Sequence, residues 1–191
     1  PWCTETGEKL ETTKRNRNTG IYVGSLEGFK NAAELVEAIP LILEQTATDR
    51  FIVVGPGEYA PKIKALIERY GSQLEYIEAL PRKDAIHLLR SAGYGYTPVT
   101  DCGLGFIGDC WGTGTPLITT HKLDGFLLQD CDTLIADSVY DLPKTINSLL
   151  GSDALFERMQ RGGANRYLLN FTAQAVGGQY LEVLREVTKI K

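Results

Sequence analysis

Short apolar segments alternate with helical patterns through the first two thirds of the chain, and this alternation limits the fold more than any other feature. Six segments are typical of buried strands because each is a short apolar run bounded by turn residues. These are Ile21–Val23, Phe51–Val54, Leu74–Ile77, Tyr94–Thr97, Leu117–Thr119 and Thr133–Ala136. Since strands that alternate with helices form right-handed βαβ units, we predict a mostly parallel six-stranded sheet with helices on both faces.

Seven helical patterns separate or follow these strands. They span Asn31–Gln45, Tyr59–Tyr70, Arg82–Ser91, Phe106–Trp111, Leu142–Leu150, Ala154–Arg166 and Thr172–Thr188. Pro40 is expected to kink the first helix. The last one carries an apolar stripe, which predicts packing either on this sheet or on a partner. The fold class is therefore α/β, a three-layer α/β/α Rossmann-like arrangement with C-terminal helices.

Composition favours one soluble domain, which we place at residues 20–191. Residues 1–19 are polar and aperiodic, so we interpret them as a lead-in or linker, with Lys14, Arg15 and Arg17 as a solvated basic cluster. A net charge of -4 argues against nucleic-acid binding. No apolar run has the length of a membrane span and no signal peptide opens the chain, so we expect a cytoplasmic location. Because residue 1 is Pro, the chain is either processed or part of something longer.

The four cysteines and two histidines show neither a paired-cysteine motif nor zinc-site spacing, so we expect reduced thiols and no metal. Cys102 and Cys110 are predicted to share a helix, too far apart for a disulfide. His87 is expected at the surface of its helix. His121 follows the fifth strand, at the ligand end of the sheet, and is a candidate to line a sugar site.

The residues from Pro98 to Pro116 carry the clearest functional signal. Asp101 and Asp109 are eight residues apart, which puts both carboxylates on roughly the same side of a helix. Gly103, Leu104 and Gly105 would offer free amides at the start of that helix, where an anion is favoured. This combination suits a nucleotide sugar, which has a phosphate in the middle and hydroxyl-bearing rings on either side. Alternatively, Asp101 is only a helix N-cap and Asp109 an exposed helix residue.

At this point the sequence resembles a known family, over roughly Ile21 to Val187. It is similar to the C-terminal, donor-binding domain of the large retaining glycosyltransferase family with the GT-B fold. The family signature E-G-F-G-x-x-x-x-E-A-x-A-x-G-T-P falls in register on Asp101 to Pro116. The opening V-G-R-x-x-x-x-K-G resembles V-G-S-L-E-G-F-K-N, with Ser25 on the arginine and Lys30 on the lysine.

Further motifs of the family follow along the chain. Its V-G-x-G-P turn resembles V-V-G-P-G at Val53 to Gly57, and its F-x-G-x-V-P segment resembles Y-I-E-A-L-P at Tyr76 to Pro81. The closing R-F-x-W-x-x-x-A-x-x-Y resembles N-F-T-A-Q-A-V-G-G-Q-Y at Asn170 to Tyr180. The resemblance implies that residues 20–191 form one half of a GT-B fold.

The resemblance also implies roles for individual residues. Asp101 takes the place of the glutamate that touches the donor sugar, beside Cys102 and Gly103. The amides around Leu104 and Gly105 would hold the distal phosphate, and Lys30 would neutralise the diphosphate leaving group.

The nucleoside end has its own set of implied contacts. Asp109 would accept hydrogen bonds from the ribose hydroxyls. The backbone near Ala79 and Leu80, with Arg82 close by, would meet the base. Thr115 would lie near the phosphates or the ribose.

Three departures from the family pattern bear on activity. Ser25 replaces an arginine, so one of two cations on the diphosphate is missing, and both signature glutamates are aspartates. The E-G-F-G turn becomes D-C-G-L, which adds the thiol of Cys102. These changes are compatible with an unusual donor, a weak enzyme or a degenerate relative.

The function implied is retaining transfer of a sugar from a nucleoside diphosphate sugar, with no metal and no further cofactor. The expected partner is an N-terminal acceptor-binding domain or subunit, which also allows peripheral membrane association through that missing part. The isolated chain is expected to bind donor but hardly to turn over. The alternative is a non-catalytic nucleotide-binding scaffold or regulatory module of the same fold. A third interpretation, a nucleotide-sugar epimerase, predicts extra histidines and acids near the donor site, and the sequence does not show them.

Overall fold

The computed structural model describes residues 15–98, 104–121, 127 and 129–189. In this part of the chain, six strands form one sheet in the order β3-β2-β1-β4-β5-β6. All five neighbouring pairs are parallel. The strands are β1 Asn16–Val23, β2 Arg50–Val54, β3 Leu74–Ile77, β4 Ala92–Thr97, β5 Leu117–Thr119 and β6 Thr133–Ile135. The predicted parallel six-stranded sheet is therefore confirmed.

Helices cover both faces of the sheet. Successive residues of a strand point to opposite faces, so Tyr22 and Ile21 enter two separate cores. α1, α2 and α5 cover the Tyr22 face, and α3 and α4 cover the Ile21 face. The seven α-helices of the described residues are α1 Ala32–Gln45, α2 Ala60–Tyr70, α3 Arg82–Ser91, α4 Leu104–Thr113, α5 Leu142–Leu150, α6 Asp153–Asn170 and α7 Ala173–Lys189. The three-layer α/β/α arrangement is confirmed.

Local sequence signals place most element bounds within a few residues. β3, α3, β5 and α5 have the bounds that the apolar patterns predict. α1 continues through Pro40, which lies inside the helix. No helix of the described residues has both the length and the apolar character needed to cross a membrane.

The sheet begins earlier than the sequence pattern indicates. β1 starts at Asn16 rather than Ile21, so residues 16–19 belong to the sheet and not to a lead-in. Arg17 donates to the Leu149 carbonyl over 3.2 Å, pairs with Asp153 and stacks 4.4 Å from the Phe156 ring centre. Arg15 is also held by residues distant in sequence, so the interpretation of Arg15 and Arg17 as part of a solvated cluster was wrong. Lys14 lies outside the described residues.

Arg15 is the central side chain of the edge where the strands begin. Its Nη1 donates to the carbonyls of Leu89 and Ala92 over 3.3 and 3.0 Å and to the Thr115 hydroxyl over 2.9 Å. Its Nη2 donates to the Thr113 carbonyl. Burial lowers the pKa of Arg15 to about 10. One guanidinium thus satisfies carbonyls at the carboxyl ends of both α3 and α4.

The last helix does not cover the sheet. Its predicted stripe consists of Val176, Tyr180, Val183, Leu184 and Val187. The last four side chains are exposed, with exposed fractions between 56 and 69%, whereas Val176 is half-buried. α7 follows α6 through a short turn at Phe171–Thr172. Of the two placements expected for this stripe, packing on the sheet was therefore wrong.

Arg15→Ala is expected to destabilise the fold. Removal of the guanidinium leaves buried carbonyls without their charged donor, so the free energy of unfolding should fall by about 2–4 kcal/mol. Urea denaturation measures this loss. Arg158→Ala, at an exposed arginine of α6, is the matched control and should stay within about 0.5 kcal/mol of the wild type. Equal stability of the two variants would contradict the anchoring role of Arg15.

Candidate functional site

The carboxyl ends of the parallel strands meet at one edge of the sheet, the edge that binds ligands in folds of this type. β1 and β4 lie side by side in the sheet although they are three strands apart in sequence, so the strand order reverses there. The predicted residues that follow strand ends at this edge are Ser25, Lys30, Ala79, Leu80, Arg82 and Gly105. The topology therefore brings them to one edge.

Close backbone packing fixes the loop that carries Ser25. Gly55 and Gly57 have positive φ angles of 136° and 151°. A Cβ atom would lie 1.9 Å from the Gly24 oxygen at Gly55 and 2.4 Å from the Leu26 oxygen at Gly57. Only glycine fits such positions, so the turn after β2 holds the loop after β1 against it. Lys30 ends a 3₁₀ turn, Gly28–Lys30, directly before α1.

Arg82 and Asp109, two of the predicted site residues, are in direct contact. The guanidinium of Arg82 donates to both carboxylate oxygens of Asp109, over 3.0 Å from Nη1 and 2.6 Å from Nη2. The Arg82 side chain is 58% exposed, whereas that of Asp109 is only 14% exposed. A bidentate ion pair thus joins the start of α3 to α4, and its carboxylate is the more buried partner.

Burial and the contact with Arg82 act in opposite directions on the ionisation of Asp109. Burial raises the pKa of Asp109, although the hydrogen bonds and charge of Arg82 oppose this. The hydrogen bond to Asp109 raises the pKa of Arg82. The burial of Asp109 dominates this balance, because the exposed Arg82 is screened by water. An ionised Asp109 therefore costs stability at neutral pH.

The remaining residues of the signature divide between described and undescribed parts of the chain. Asp101, Cys102 and Gly103 lie outside the described residues. α4 begins at Leu104, so Leu104 and Gly105 belong to its first turn, where backbone amides lack intrahelical partners. The alternative interpretation of Asp109 as an exposed helix residue was wrong, since its carboxylate is mostly buried.

Thr115 does not lie at this edge, and its assignment to the phosphate or ribose site needs correction. It precedes β5, so it lies where the strands begin, on the side opposite to the ligand edge. Its side chain is 2% exposed, and its hydroxyl donates to the Leu89 carbonyl over 2.7 Å. Thr115 belongs to the Arg15 network and is a structural residue.

A second polar cluster at the ligand edge was missed by sequence reasoning. Glu34, in the first turn of α1, contacts Asn31, Tyr96, Thr120 and His121. His121 was expected near this edge, but nothing in the sequence pairs it with Glu34. An acidic residue in a first helical turn is common because it complements the helix dipole, so Glu34 gave no distinct signal.

Two other features of the described residues lie apart from the predicted site. A groove of about 230 Å³ runs beside β6 and α5 and is lined by Asp137, Asp141 and Lys144 among others. It contains none of the predicted residues. Cys110 is a free thiol, fully buried, and burial raises its pKa well above the usual value. It is therefore a core residue of α4.

Asp109→Asn is expected to leave the fold intact and to stabilise it slightly at neutral pH. The raised pKa means that the native state holds this proton more tightly than the unfolded state. The stability contribution of Asp109 therefore falls as pH rises from the unfolded pKa through the folded one. We expect a gain of up to about 1 kcal/mol at pH 7 that shrinks towards pH 4.

Denaturation at several pH values measures this effect, with Asp49→Asn at an exposed aspartate near the start of β2 as the control. A loss of more than about 2 kcal/mol at pH 7 would identify the Arg82–Asp109 pair as a structural salt bridge instead.

The fold is similar to several solved structures, although their sequence identity to this chain is low. A point mutant of S. aureus TarM, in complex with fondaparinux, alpha-GlcNAc-glycerol and UDP, has a TM-score of 0.76 at 12% identity over 92% of this chain and 37% of its own. The C-terminal domain of the Francisella tularensis glycosyl transferase group 1 family protein LpcC gives 0.69 at 13% identity, over 84% of this chain and 88% of its own.

A third similar structure is the pneumococcal O-GlcNAc transferase GtfA in complex with UDP and GlcNAc. It has a TM-score of 0.73 at 16% identity, and the match covers 92% of this chain and 37% of that one. The chain thus spans little more than a third of the length of the TarM and GtfA chains. At these identities, the likeness shows the fold alone.

Sequence comparison identifies the family more directly. A search of curated protein sequences found no significant match. The family model of the glycosyl transferases group 1 matches residues 17–151, which is more than half of the chain. The matched region runs from β1 to the end of α5 and includes both Arg82 and Asp109. The chain therefore belongs to the glycosyl transferases group 1 family.

Proposed function

We propose that this chain is the donor-binding domain of a retaining glycosyltransferase and that it binds a nucleoside diphosphate sugar at the carboxyl edge of its sheet. The observation that carries the proposal is the buried carboxylate of Asp109, held at this edge by Arg82 against the cost of burial. Carboxylates kept ionised at such a cost are typical of functional sites. Membership in the family supports the same assignment.

The nucleoside occupies the α3–α4 side of the edge. Asp109 accepts hydrogen bonds from the two ribose hydroxyls, as a carboxylate with two oxygens does well. Arg82 donates one hydrogen bond to each of these oxygens, which leaves about two of the four lone-pair directions of the carboxylate for the ribose. Arg82 is more than half exposed and can turn towards the base, beside the backbone of Ala79 and Leu80.

The diphosphate lies at the first turn of α4. The amides of Leu104 and Gly105 are at the positive end of that helix and donate to the distal phosphate. Lys30, at the end of the turn before α1, neutralises the charge of the leaving group. Asp101, which lies outside the described residues, is assigned to the hydroxyls of the transferred sugar.

These groups match the demands of the transfer step. The bond between the sugar and the diphosphate breaks, so positive charge develops on the sugar and negative charge on the leaving phosphate. A protein accelerates such a step mainly by orienting the sugar and stabilising the leaving charge. Lys30 and the α4 amides perform the second task. Loss of the family arginine at Ser25 leaves Lys30 with a larger share of it.

The acceptor site belongs to another part of the protein. The TarM and GtfA chains are nearly three times as long as the matched region, which supports a second domain here as well. The exposed apolar stripe of α7 is the surface that this domain would cover. The isolated chain is then a donor-binding unit without a complete active site.

Calorimetric titration with UDP, GDP, ADP and dTDP tests the proposal. One of the four should bind saturably. Asp109→Asn and Lys30→Ala should each weaken that binding about tenfold or more, the loss expected for one charge-assisted contact. Asp49→Asn, a carboxylate at the opposite edge of the sheet, should bind like the wild type. Absence of binding to all four nucleotides at millimolar ligand would contradict the proposal.

A further inference from the structure

Three strands that are neighbours in the sheet contribute to the polar cluster around Glu34. Glu34 and Asn31 lie at the start of α1, which follows β1; Tyr96 is in β4; Thr120 and His121 follow β5. In the sheet, β4 lies between β1 and β5. The cluster therefore spans the place where the strand order reverses, on the α1 side of it. Asp109 and Arg82 lie on the α3–α4 side.

Glu34 is fully occupied by hydrogen bonds within the protein. Its Oε1 accepts from the Tyr96 hydroxyl over 3.0 Å and from the Thr120 hydroxyl. Its Oε2 accepts from Asn31 Nδ2 over 2.8 Å and lies 3.0 Å from His121 Nε2. A carboxylate has about four lone-pair directions, so this one has no capacity left for a ligand. The carboxylate orients its neighbours instead.

The contact with Glu34 assigns the hydrogen of the His121 ring. Nε2 of His121 faces Glu34 Oε2, which only accepts, and lies 3.1 Å from Asn31 Nδ2, which donates. Because Asn31 Nδ2 already donates to Glu34 Oε2, we assign the ring hydrogen to Nε2 of His121. In the neutral ring, the other nitrogen, Nδ1, is then a hydrogen-bond acceptor. The His121 side chain is 32% exposed and that of Glu34 only 17%, so His121 is the member of the pair that faces solvent. A neutral acceptor nitrogen of this kind suits a hydroxyl group.

We propose that His121 binds a hydroxyl of the transferred sugar through Nδ1, and that Glu34 is the positioning residue that fixes its tautomer and orientation. The inference rests on the proposed function. With the ribose at Asp109 and the diphosphate at the first turn of α4, the sugar extends towards the start of α1 and the end of β5. His121 is the half-buried imidazole there.

Burial and hydrogen bonds keep the residues around Glu34 in fixed positions. Tyr96 is fully buried, and burial together with the charge of Glu34 raises its pKa well above the usual value, so its hydroxyl stays a donor. Asn31 has a positive φ of 52°, which turns the chain between the Lys30 turn and α1. Its amide bonds to Glu34 and lies 3.1 Å from His121 Nε2. The Glu34 carboxylate thus holds the His121 ring directly and holds the backbone next to Lys30 through Asn31.

The test compares a nucleoside diphosphate with the corresponding sugar nucleotide. The diphosphate that binds in the four-nucleotide titration is paired with its own sugar probe: UDP-glucose and UDP-N-acetylglucosamine, GDP-mannose, ADP-glucose or dTDP-glucose. His121→Gln is the informative variant, because the Gln amide can reach the position of Nε2 and bond to Glu34 but offers no acceptor at the position of Nδ1. Glu34→Gln tests the positioning role.

His121→Gln should weaken binding of the sugar nucleotide about tenfold and leave the diphosphate within about twofold of the wild type. Glu34→Gln should show the same selective loss, to a smaller extent. Equal weakening of both ligands, which damage to the fold would produce, or weakening of neither, would overturn the inference. If no nucleotide binds the wild-type chain at all, the proposed function fails and this inference fails with it.

Discussion

The parallel pairing of β1 with β4 is the contact on which the rest of the structure depends. It joins two halves of the chain into one sheet, and the strand order reverses at this pair. α1, α2 and α5 then cover one face of this sheet, while α3 and α4 cover the other. In open parallel sheets, ligands bind where the strand order reverses in this way. The described residues assigned to the donor lie on segments that follow strand ends at this edge.

Arg15 and Asp109, at opposite edges of the sheet, have opposite energetic characters. At the edge where the strands begin, Arg15 donates to the carbonyls that end α3 and α4, and Thr115 completes that network. At the ligand edge, the Glu34 carboxylate is fully hydrogen-bonded, whereas Asp109 keeps a buried carboxylate whose ionisation costs stability. A charge kept at a cost in stability is typical of a functional site, which supports a functional role for Asp109.

The sequence was sufficient for the fold but only partly for the site. Apolar alternation identifies strands because burial on both faces demands it, whereas β1 residues 16–19 are polar and gave no such signal. Arg15 and Thr115 were misassigned because their partners are distant in the chain. Glu34 and His121 meet only through the strand order, which no local pattern encodes. The roles of Lys30 and Asp109 remain predictions.

The central claim is that a nucleotide lies across the carboxyl edge between α3 and α4. Amide shifts in a two-dimensional NMR spectrum, recorded while the selected nucleoside diphosphate is added, test it most directly. We predict that the amides of Arg82, Gly105 and Asp109 shift with one common dissociation constant, while those of Thr113 and Thr115 at the opposite edge stay unchanged. Shifts confined to the opposite edge, or to the groove beside β6 and α5, would contradict the account.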